Sequence, residues 1–198
     1  MTIHLETLRL RLRDWQETDR PPFAALNADP DVMEFFPAPF ERGESDAAIE
    51  RYQSLIDTHG FGPYAVEIAR TGTFIGYVGL EPVNFTAPFT IGRPQPMMGI
   101  GWRLSVEAWG HGYASEAAGA CFDQAFGIFD LPEIVSFTAE TNQRSIAVME
   151  RLGMTRDPND DFEHPNVPEG HVLRPHVLYR MTRGTYTQSR NGAIPLAQ

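Results

Sequence analysis

The stretch Trp109-Gly110-His111-Gly112-Tyr113-Ala114-Ser115-Glu116-Ala117 places a glycine-punctuated turn directly before a run of helix-forming residues. The first turn of a helix has backbone N–H groups without an intrahelical partner and a partial positive charge, so it can hold an anion such as a diphosphate. The G-x-G spacing removes side chains that would keep a phosphate away from the backbone. The stretch therefore predicts a cofactor site, with an ordinary strand-to-helix turn as the alternative.

Composition indicates a globular protein. With 198 residues and 42% hydrophobic content, the chain can bury one sizeable core, and its length predicts a single domain. The one cysteine, Cys121, excludes an intramolecular disulfide and is expected in the core. The first residues lack a secretory apolar segment, and no apolar run approaches the ~20 residues that cross a bilayer. We therefore expect a soluble, cytoplasmic protein.

The charge is strongly acidic, because 26 acidic residues outnumber 16 basic ones for a formal net charge of -10. All the basic residues are arginine. This balance argues against nonspecific binding of nucleic acid and is compatible with a cationic substrate such as an amine. An anionic cofactor would need a locally positive site.

Periodicity and turn residues predict the order of elements. The alternation Arg9-Leu10-Arg11-Leu12-Arg13 predicts the opening strand. Asp19 before Pro21 and Asp29 before Pro30 predict two short capped helices. Further strands are predicted over residues 63–69, 74–80, 98–104, 134–139 and 176–181, and further helices over 45–57, 113–126 and 142–153. Residues 82–96 and 157–175 are predicted as loops, and residues 184–198 as a flexible tail.

Two signatures then resemble the GNAT superfamily of acetyl-CoA-dependent N-acetyltransferases, in the branch of the ribosomal-protein alanine N-acetyltransferases. The first is the opening stretch, and the second is Asn142-Gln143-Arg144-Ser145-Ile146-Ala147-Val148-Met149-Glu150-Arg151-Leu152-Gly153-Met154. They stand in the family's order, separated by a predicted strand, and the resemblance spans residues 8–181. The family's phosphate loop carries Arg or Gln where this chain has Glu107, which puts phosphate affinity in doubt unless Glu107 points to solvent.

The resemblance implies an α/β (α+β) fold. Its sheet would be mixed, mostly antiparallel and twisted, flanked by helices, with a V-shaped splay between the strands at 98–104 and 134–139. Residues 1–183 would form a single N-acetyltransferase domain. The pantetheine arm of acetyl-CoA would enter the splay, and a main-chain N–H there would stabilise oxyanion charge on the thioester.

The resemblance also implies the function, transfer of an acetyl group from acetyl-CoA to a primary amine by direct attack on the thioester. The amine would belong to a protein N-terminus or to a small molecule. The residues predicted to bind the cofactor are Trp102, Arg103, Leu104, Trp109, Gly110, His111, Gly112, Tyr113, Ala114 and Asn142.

Catalytic candidates come from two segments. The branch resembled here implies Ser145 as the proton donor to the departing thiolate, although Asn142 and Ser145 also suit plain helix capping. Glu163 and His164 lie where that branch can place a base, and Glu81 is a further candidate. Deprotonation relayed by water would need none of them.

Other readings stay open or are rejected. His164, His171 and His176 with Glu163 match no short metal motif, so we expect no metal. Gly99-x-Gly101 lacks the rest of a dinucleotide fingerprint. Arg103 and Arg144 could assist phosphate binding, with surface pairing as the simpler interpretation. Aromatic residues suggest a partly apolar acceptor cleft or simple loop anchors: Phe35, Phe36, Phe85, Phe89 and Phe162.

A noncatalytic acyl-CoA-binding domain is the alternative function. Preference for a longer acyl-CoA is another alternative, and a homodimer is possible.

Overall fold

A computed structural model describes residues 1–93 and 96–191 of the chain. The described strands are β1 (Ile3–Glu6), β2 (Leu10–Arg13), β3 (Pro63–Ile68), β4 (Thr73–Pro82), β5 (Met98–Leu104), β6 (Glu133–Ala139), β7 (Thr155–Arg156), β8 (Phe162–Glu163) and β9 (Pro175–Thr182). The described α-helices are α1 (Arg20–Ala28), α2 (Arg42–His59), α3 (Tyr113–Gly127), α4 (Gln143–Arg151) and α5 (Arg183–Asn191).

The strands form one sheet in the order β1-β2-β3-β4-β5-β6-β9-β7, and β8 pairs with β9. Every pairing is antiparallel except that of β5 with β6. Those two parallel strands share a single register pair, Gly99 with Val135. They therefore separate on either side of one point, and the predicted mixed, mostly antiparallel fold with a splay is confirmed.

The core lies between this sheet and the helices. Residues 75–80 of β4 are all buried, so both faces of the strand are covered. Helices α1 and α2 pack together and contact β4 and β3 respectively, while α3 contacts β4 and β5. Cys121 of α3 is fully buried, as expected, and burial raises the pKa of its thiol to about 12.

The N-terminal segment differs from expectation in two ways. The alternating segment forms β2, but it is not the opening strand, because β1 precedes it and pairs with it antiparallel. Residues after Pro30 form turns rather than a second short helix. The Asp29 side chain there accepts a hydrogen bond from the N–H of Asp31, 2.8 Å away, which closes a local turn instead of starting a helix.

The predicted cap of α1 is also corrected. Asp19 precedes α1 but makes no side-chain capping bond. Its carboxylate instead binds Arg13 through two hydrogen bonds, of 2.7 Å from Nη1 and 2.9 Å from Nη2. Nε of Arg13 donates to Glu67 at 2.6 Å, and all three side chains are buried. The polar face of β2 is therefore covered by an internal ion-pair network.

Two predicted irregular segments contain regular structure. Residues 183–191 form α5, so the expectation of a flexible tail is wrong for residues 184–191, and residues 192–198 lie outside the described part of the chain. Within the predicted loop 157–175, β8 pairs with the start of β9. No helix among the described residues is both long enough and apolar enough to cross a membrane.

Candidate active site

The turn before α3 is built by backbone conformation. Gly110 has a φ of 76°, and Gly112, the N-cap of α3, has a φ of 78°. Both values lie in the left-handed region that favours glycine. A Cβ at Gly110 would meet nothing within 4 Å, so the sign of φ rather than crowding requires glycine there.

The same turn aims unpaired donors outward. The intrahelical hydrogen bonds of α3 begin with the N–H of Glu116 donating to the carbonyl of Gly112, 3.0 Å away. The preceding N–H groups, at residues 113–115, therefore have no intrahelical acceptor. Together with the helix dipole they form the anion-binding cradle that the sequence predicts.

Side chains hold this cradle in place from several elements. Trp109 Nε1 donates to the carbonyl of Leu104 at 2.9 Å, and the guanidinium of Arg144 lies 4.3 Å from the centre of the Trp109 ring. Glu116 accepts from Thr7 Oγ1 and Arg9 Nε, both at 2.6 Å. The cradle is therefore anchored to β5, to α4 and to the turn before β2.

Glu107, the departure from the family pattern, is exposed and does not line the cavity described next. Its carboxylate therefore points away from the phosphate site, which removes the doubt it raised. His111 is also exposed, and its ring stacks on Tyr113 with centroids 5.4 Å apart.

A cavity of about 1050 Å³ runs from this cradle past the splay of β5 and β6. All ten residues predicted to bind the cofactor line it, as do Ser145 and His164. Glu163 does not line it: its side chain is 60% exposed and pairs with Arg174 at 3.0 Å. The position of Glu163 therefore gives no support to its candidate role as a base.

Asn142 and Ser145 lie at the start of α4 and line the cavity. Asn142 Oδ1 accepts from the N–H of Ser145 at 3.1 Å, so Asn142 caps the helix as predicted. Its Nδ2 donates to Thr138 Oγ1 at 2.9 Å and to Ser145 Oγ at 3.1 Å. Because Ser145 Oγ accepts a hydrogen bond from Asn142 Nδ2, its own O–H is free to donate into the cavity.

Glu81 lines the far end of the cavity, on β4 opposite Gly99. Burial raises the pKa of its carboxyl group, and the positive charges of Arg51 and Arg103 partly oppose that shift. Among the described residues Glu81 has no hydrogen bond or ion pair, so its carboxylate is available to a ligand. The sequence signal for Glu81 was its place at the end of a predicted strand beside the expected cleft.

Arg103 is not in a surface pair, which corrects the sequence expectation. It is 6% exposed, its Nη1 donates to Asn27 Oδ1 at 2.6 Å, and its guanidinium lies 4.1 Å from the centre of the Phe36 ring. Arg144 does form a surface pair, with Glu34 at 2.5 Å. Sequence reasoning missed Arg51, which also lines the cavity, because a single arginine on an exposed helix carries no signal.

Two neutral histidines in the cavity wall pack against aromatic side chains, with the ring centres of His164 and Phe85 4.6 Å apart and those of His176 and Phe162 5.6 Å apart. The rings of His164 and His176 are 4.7 Å apart and both line the cavity. Burial and the neighbouring His176 lower the pKa of His164 to about 4, and burial lowers the pKa of His176. Nδ1 of His164 accepts from the N–H of Asn166 at 3.2 Å, so its proton resides on Nε2. Among the described residues no group of three or more His, Cys, Asp or Glu side chains is arranged for a metal ion.

The aromatic residues divide between the two interpretations offered for them. Phe35, Phe36 and Phe85 line the cavity, which makes its wall partly apolar. Phe89 and Phe162 are 3% and 6% exposed and pack with Phe85 in a separate cluster under the loop after β4. The first three therefore belong to the cleft, and the last two are anchors.

Comparisons with known proteins agree with this geometry. Residues 9–155 match the family model of the acetyltransferase (GNAT) domain. An FsC-acetyl coenzyme A-N(2)-transacetylase of Aspergillus fumigatus is 32% identical over 202 residues, covering 94% of this chain and 82% of the relative.

Solved structures share the fold. An acetyltransferase from Agrobacterium tumefaciens str. C58 superposes with a TM-score of 0.69 at 29% identity, covering 89% of this chain and 92% of the other. RimL, a ribosomal L7/L12 alpha-N-protein acetyltransferase solved with coenzyme A, superposes with a TM-score of 0.70 at 18% identity, covering 91% and 98%. At that identity RimL shows likeness of fold alone.

Proposed function

The chain belongs to the GNAT acetyltransferase family, and from that membership we propose that it transfers the acetyl group of acetyl-CoA to a primary amine. The observation that carries the proposal is the cradle of free N–H groups at residues 113–115, which opens into the same cavity as Ser145 and Glu81. Acetyl-CoA supplies the activated acetyl group as a thioester.

The residues of the cavity fit the parts of this cosubstrate. The cradle after Trp109 would hold the diphosphate, and the single register pair between β5 and β6 leaves strand edges for the pantetheine arm. Asn142 and Ser145 stand at the thiol end of that path. The reacting carbon would then lie close to Gly99, opposite Glu81.

The reaction needs two proton positions, and the site has a side chain for each. The amine nitrogen forms a bond to the acetyl carbon, the carbon–sulfur bond breaks, and the amine proton must leave. Glu81 receives that proton in our proposal, because burial brings the pKa of its carboxyl group closer to neutral pH. Ser145 donates a proton to the departing thiolate.

His164 has a different part in the proposal. With a pKa of about 4 it is neutral at physiological pH and is a weaker proton acceptor than Glu81. Its Nε2–H would serve as a hydrogen-bond donor to a ligand in the cavity that His164 lines. We therefore assign His164 to positioning the acceptor and leave Glu163 outside the chemistry.

The branch of the family is a finer proposal. The motif at the start of α4 resembles the branch of ribosomal-protein alanine N-acetyltransferases, and the RimL structure shares the fold. The Aspergillus relative is named for an N(2)-transacetylase reaction instead. The single-domain organisation, the cytoplasmic location, the possible homodimer and the lack of nucleic-acid binding stay predictions from the sequence.

One experiment tests the proposed function. The purified chain is titrated with acetyl-CoA by calorimetry and then incubated with acetyl-CoA and a panel of amines that includes peptides, while thiol release is followed. We expect saturable binding and acceptor-dependent release. Binding without release for any acceptor would favour the noncatalytic acyl-CoA-binding alternative, and no binding at all would overturn both.

A further inference from the structure

One face of β4 and β5 carries the cationic side chain of Arg103 and the anionic side chain of Glu81, with a glycine between them. Arg103 stands opposite Tyr77, and Glu81 stands opposite Gly99, so the alternation of strand side chains puts all four on one face. The two positions are four residues apart along β4, which is about 14 Å between backbones. Between them lies Gly101, where a Cβ would meet nothing within 4 Å.

The guanidinium of Arg103 is fixed in place. Nη1 donates to Asn27 Oδ1, and Asn27 Nδ2 in turn donates to Ser45 Oγ at 2.7 Å, so α1 and α2 both hold the group. Phe36 and Phe40 lie over it, with ring centres 4.1 and 4.9 Å from its central carbon. Such a preformed group loses little side-chain entropy on binding a ligand.

The charge of Arg103 is not neutralised within the described part of the chain. No carboxylate lies within ion-pair distance of it there, and its Nε is buried without a hydrogen-bond partner. Arg51 and Glu81 line the same cavity and also form no ion pair with a described residue. A buried guanidinium without a carboxylate costs free energy, which a negatively charged ligand would recover.

We propose that the acceptor amine carries a carboxylate, which Arg103 binds while Glu81 holds the amine. The proposal rests on the proposed function and names its substrate class, a small amino acid or close derivative. The placement suits the chemistry, because Glu81 lies beside Gly99, where β5 and β6 have their single register pair. The 94% burial of Arg103 requires the carboxylate to enter the cavity completely, which favours a small molecule over a peptide.

The test compares matched acceptors that differ only in the carboxylate. A panel of α- and ω-amino acids of increasing length is measured beside their carboxamides, for kcat/KM and for binding to the coenzyme A complex by calorimetry. We expect the best amino acid to exceed its carboxamide roughly 10- to 100-fold, as for loss of a hydrogen bond to a charged group. Arg103→Gln should remove that ratio, so that the amino acid and its carboxamide become equal acceptors, and Arg70→Gln, at an exposed turn, should preserve it.

A second variant covers the case in which Arg103→Gln does not fold. Gly101→Val places a side chain in the space between Arg103 and Glu81. It should raise the KM for amino acids while leaving the affinity for coenzyme A unchanged. Equal activity and equal binding of amino acids and carboxamides by the wild-type protein would overturn the proposal. Failure of the proposed function gives a different result. Transfer to every amine would then be lost, while the calorimetric binding of acceptors would still show the preference for a carboxylate.

Discussion

The two ends of the cavity are built by different means. The diphosphate end is made by the backbone of one contiguous segment, residues 109–115, in which two glycines adopt positive φ. The acceptor end is made by side chains from α2, β4, β5 and β9. A backbone site leaves a motif in the sequence, because its conformation limits the residues that can form it. A side-chain site assembled from distant elements leaves isolated polar residues instead.

The largest effect is expected at the acceptor end. Glu81→Gln should lower kcat by about 10²- to 10⁴-fold, the usual contribution of a positioned proton acceptor, with coenzyme A affinity unchanged. Because burial raises the pKa of Glu81, wild-type kcat/KM should rise with pH as the carboxyl group ionises above its ordinary value of 4.5. This rise should vanish in the variant. A variant that keeps wild-type turnover and the same pH profile would assign the proton to another group.

The next largest effect is expected in the backbone cradle. Gly112→Val forces a β-branched residue to a φ of 78°, a strain of about 1–3 kcal/mol, and should weaken coenzyme A binding about 10- to 100-fold. Gly119→Ala is the matched control, since that glycine lies inside α3 and a Cβ there meets nothing within 4 Å. It should raise stability by up to about 1 kcal/mol. Calorimetry and urea unfolding measure both, and unchanged binding in Gly112→Val would show that the cradle does not hold the cofactor.

A smaller effect is expected where the two ends meet. Ser145→Ala removes a hydroxyl donor from the thiol end and should reduce kcat about tenfold, in the range of one hydrogen bond to a charged group. Ser145→Thr keeps the hydroxyl and should retain most of the activity. Steady-state kinetics with both variants separate donation from packing, because loss of activity in both would indicate a steric role.

The smallest effect is expected at the departure from the family pattern. Glu107 is exposed and outside the cavity lining, so Glu107→Gln should change the dissociation constant of coenzyme A by less than about twofold, as is usual for screened surface charges. The constant is measured at low and physiological salt. A tenfold gain in affinity at both salt concentrations would place the Glu107 carboxylate near the diphosphate and contradict its position.

Much of the fold could be predicted from local signals. The periodic strands β3, β4, β5, β6 and β9, and the helices α2, α3 and α4, lie within a few residues of their predicted bounds. The failures have tertiary causes. The sequence predicts Asp19 as a helix cap, but its carboxylate accepts two hydrogen bonds from Arg13. Local sequence reasoning did not anticipate this partner on the neighbouring strand β2.

The residues of the site likewise divide into those with local interactions and those with tertiary ones. The cradle and Asn142 were predictable because their interactions are local, at the start of a helix. Arg103 was expected at the surface, since only the folded chain brings Asn27 and two phenylalanines around it. The joint position of His164 and His176 depends on the pairing of β8 with β9, two strands separated by a loop without regular periodicity.

The single register pair between β5 and β6 has a consequence for the protein before it meets its cosubstrate. Past Gly99 and Val135 the two strands have no further backbone register pair, and the Ser136 hydroxyl donates to the carbonyl of Ile100 at 3.0 Å. Unpaired edges are templates for aggregation when another extended chain reaches them. A pantetheine arm lying along them would shield those edges, so the cellular supply of coenzyme A would also govern how long the folded chain stays dispersed at high concentration.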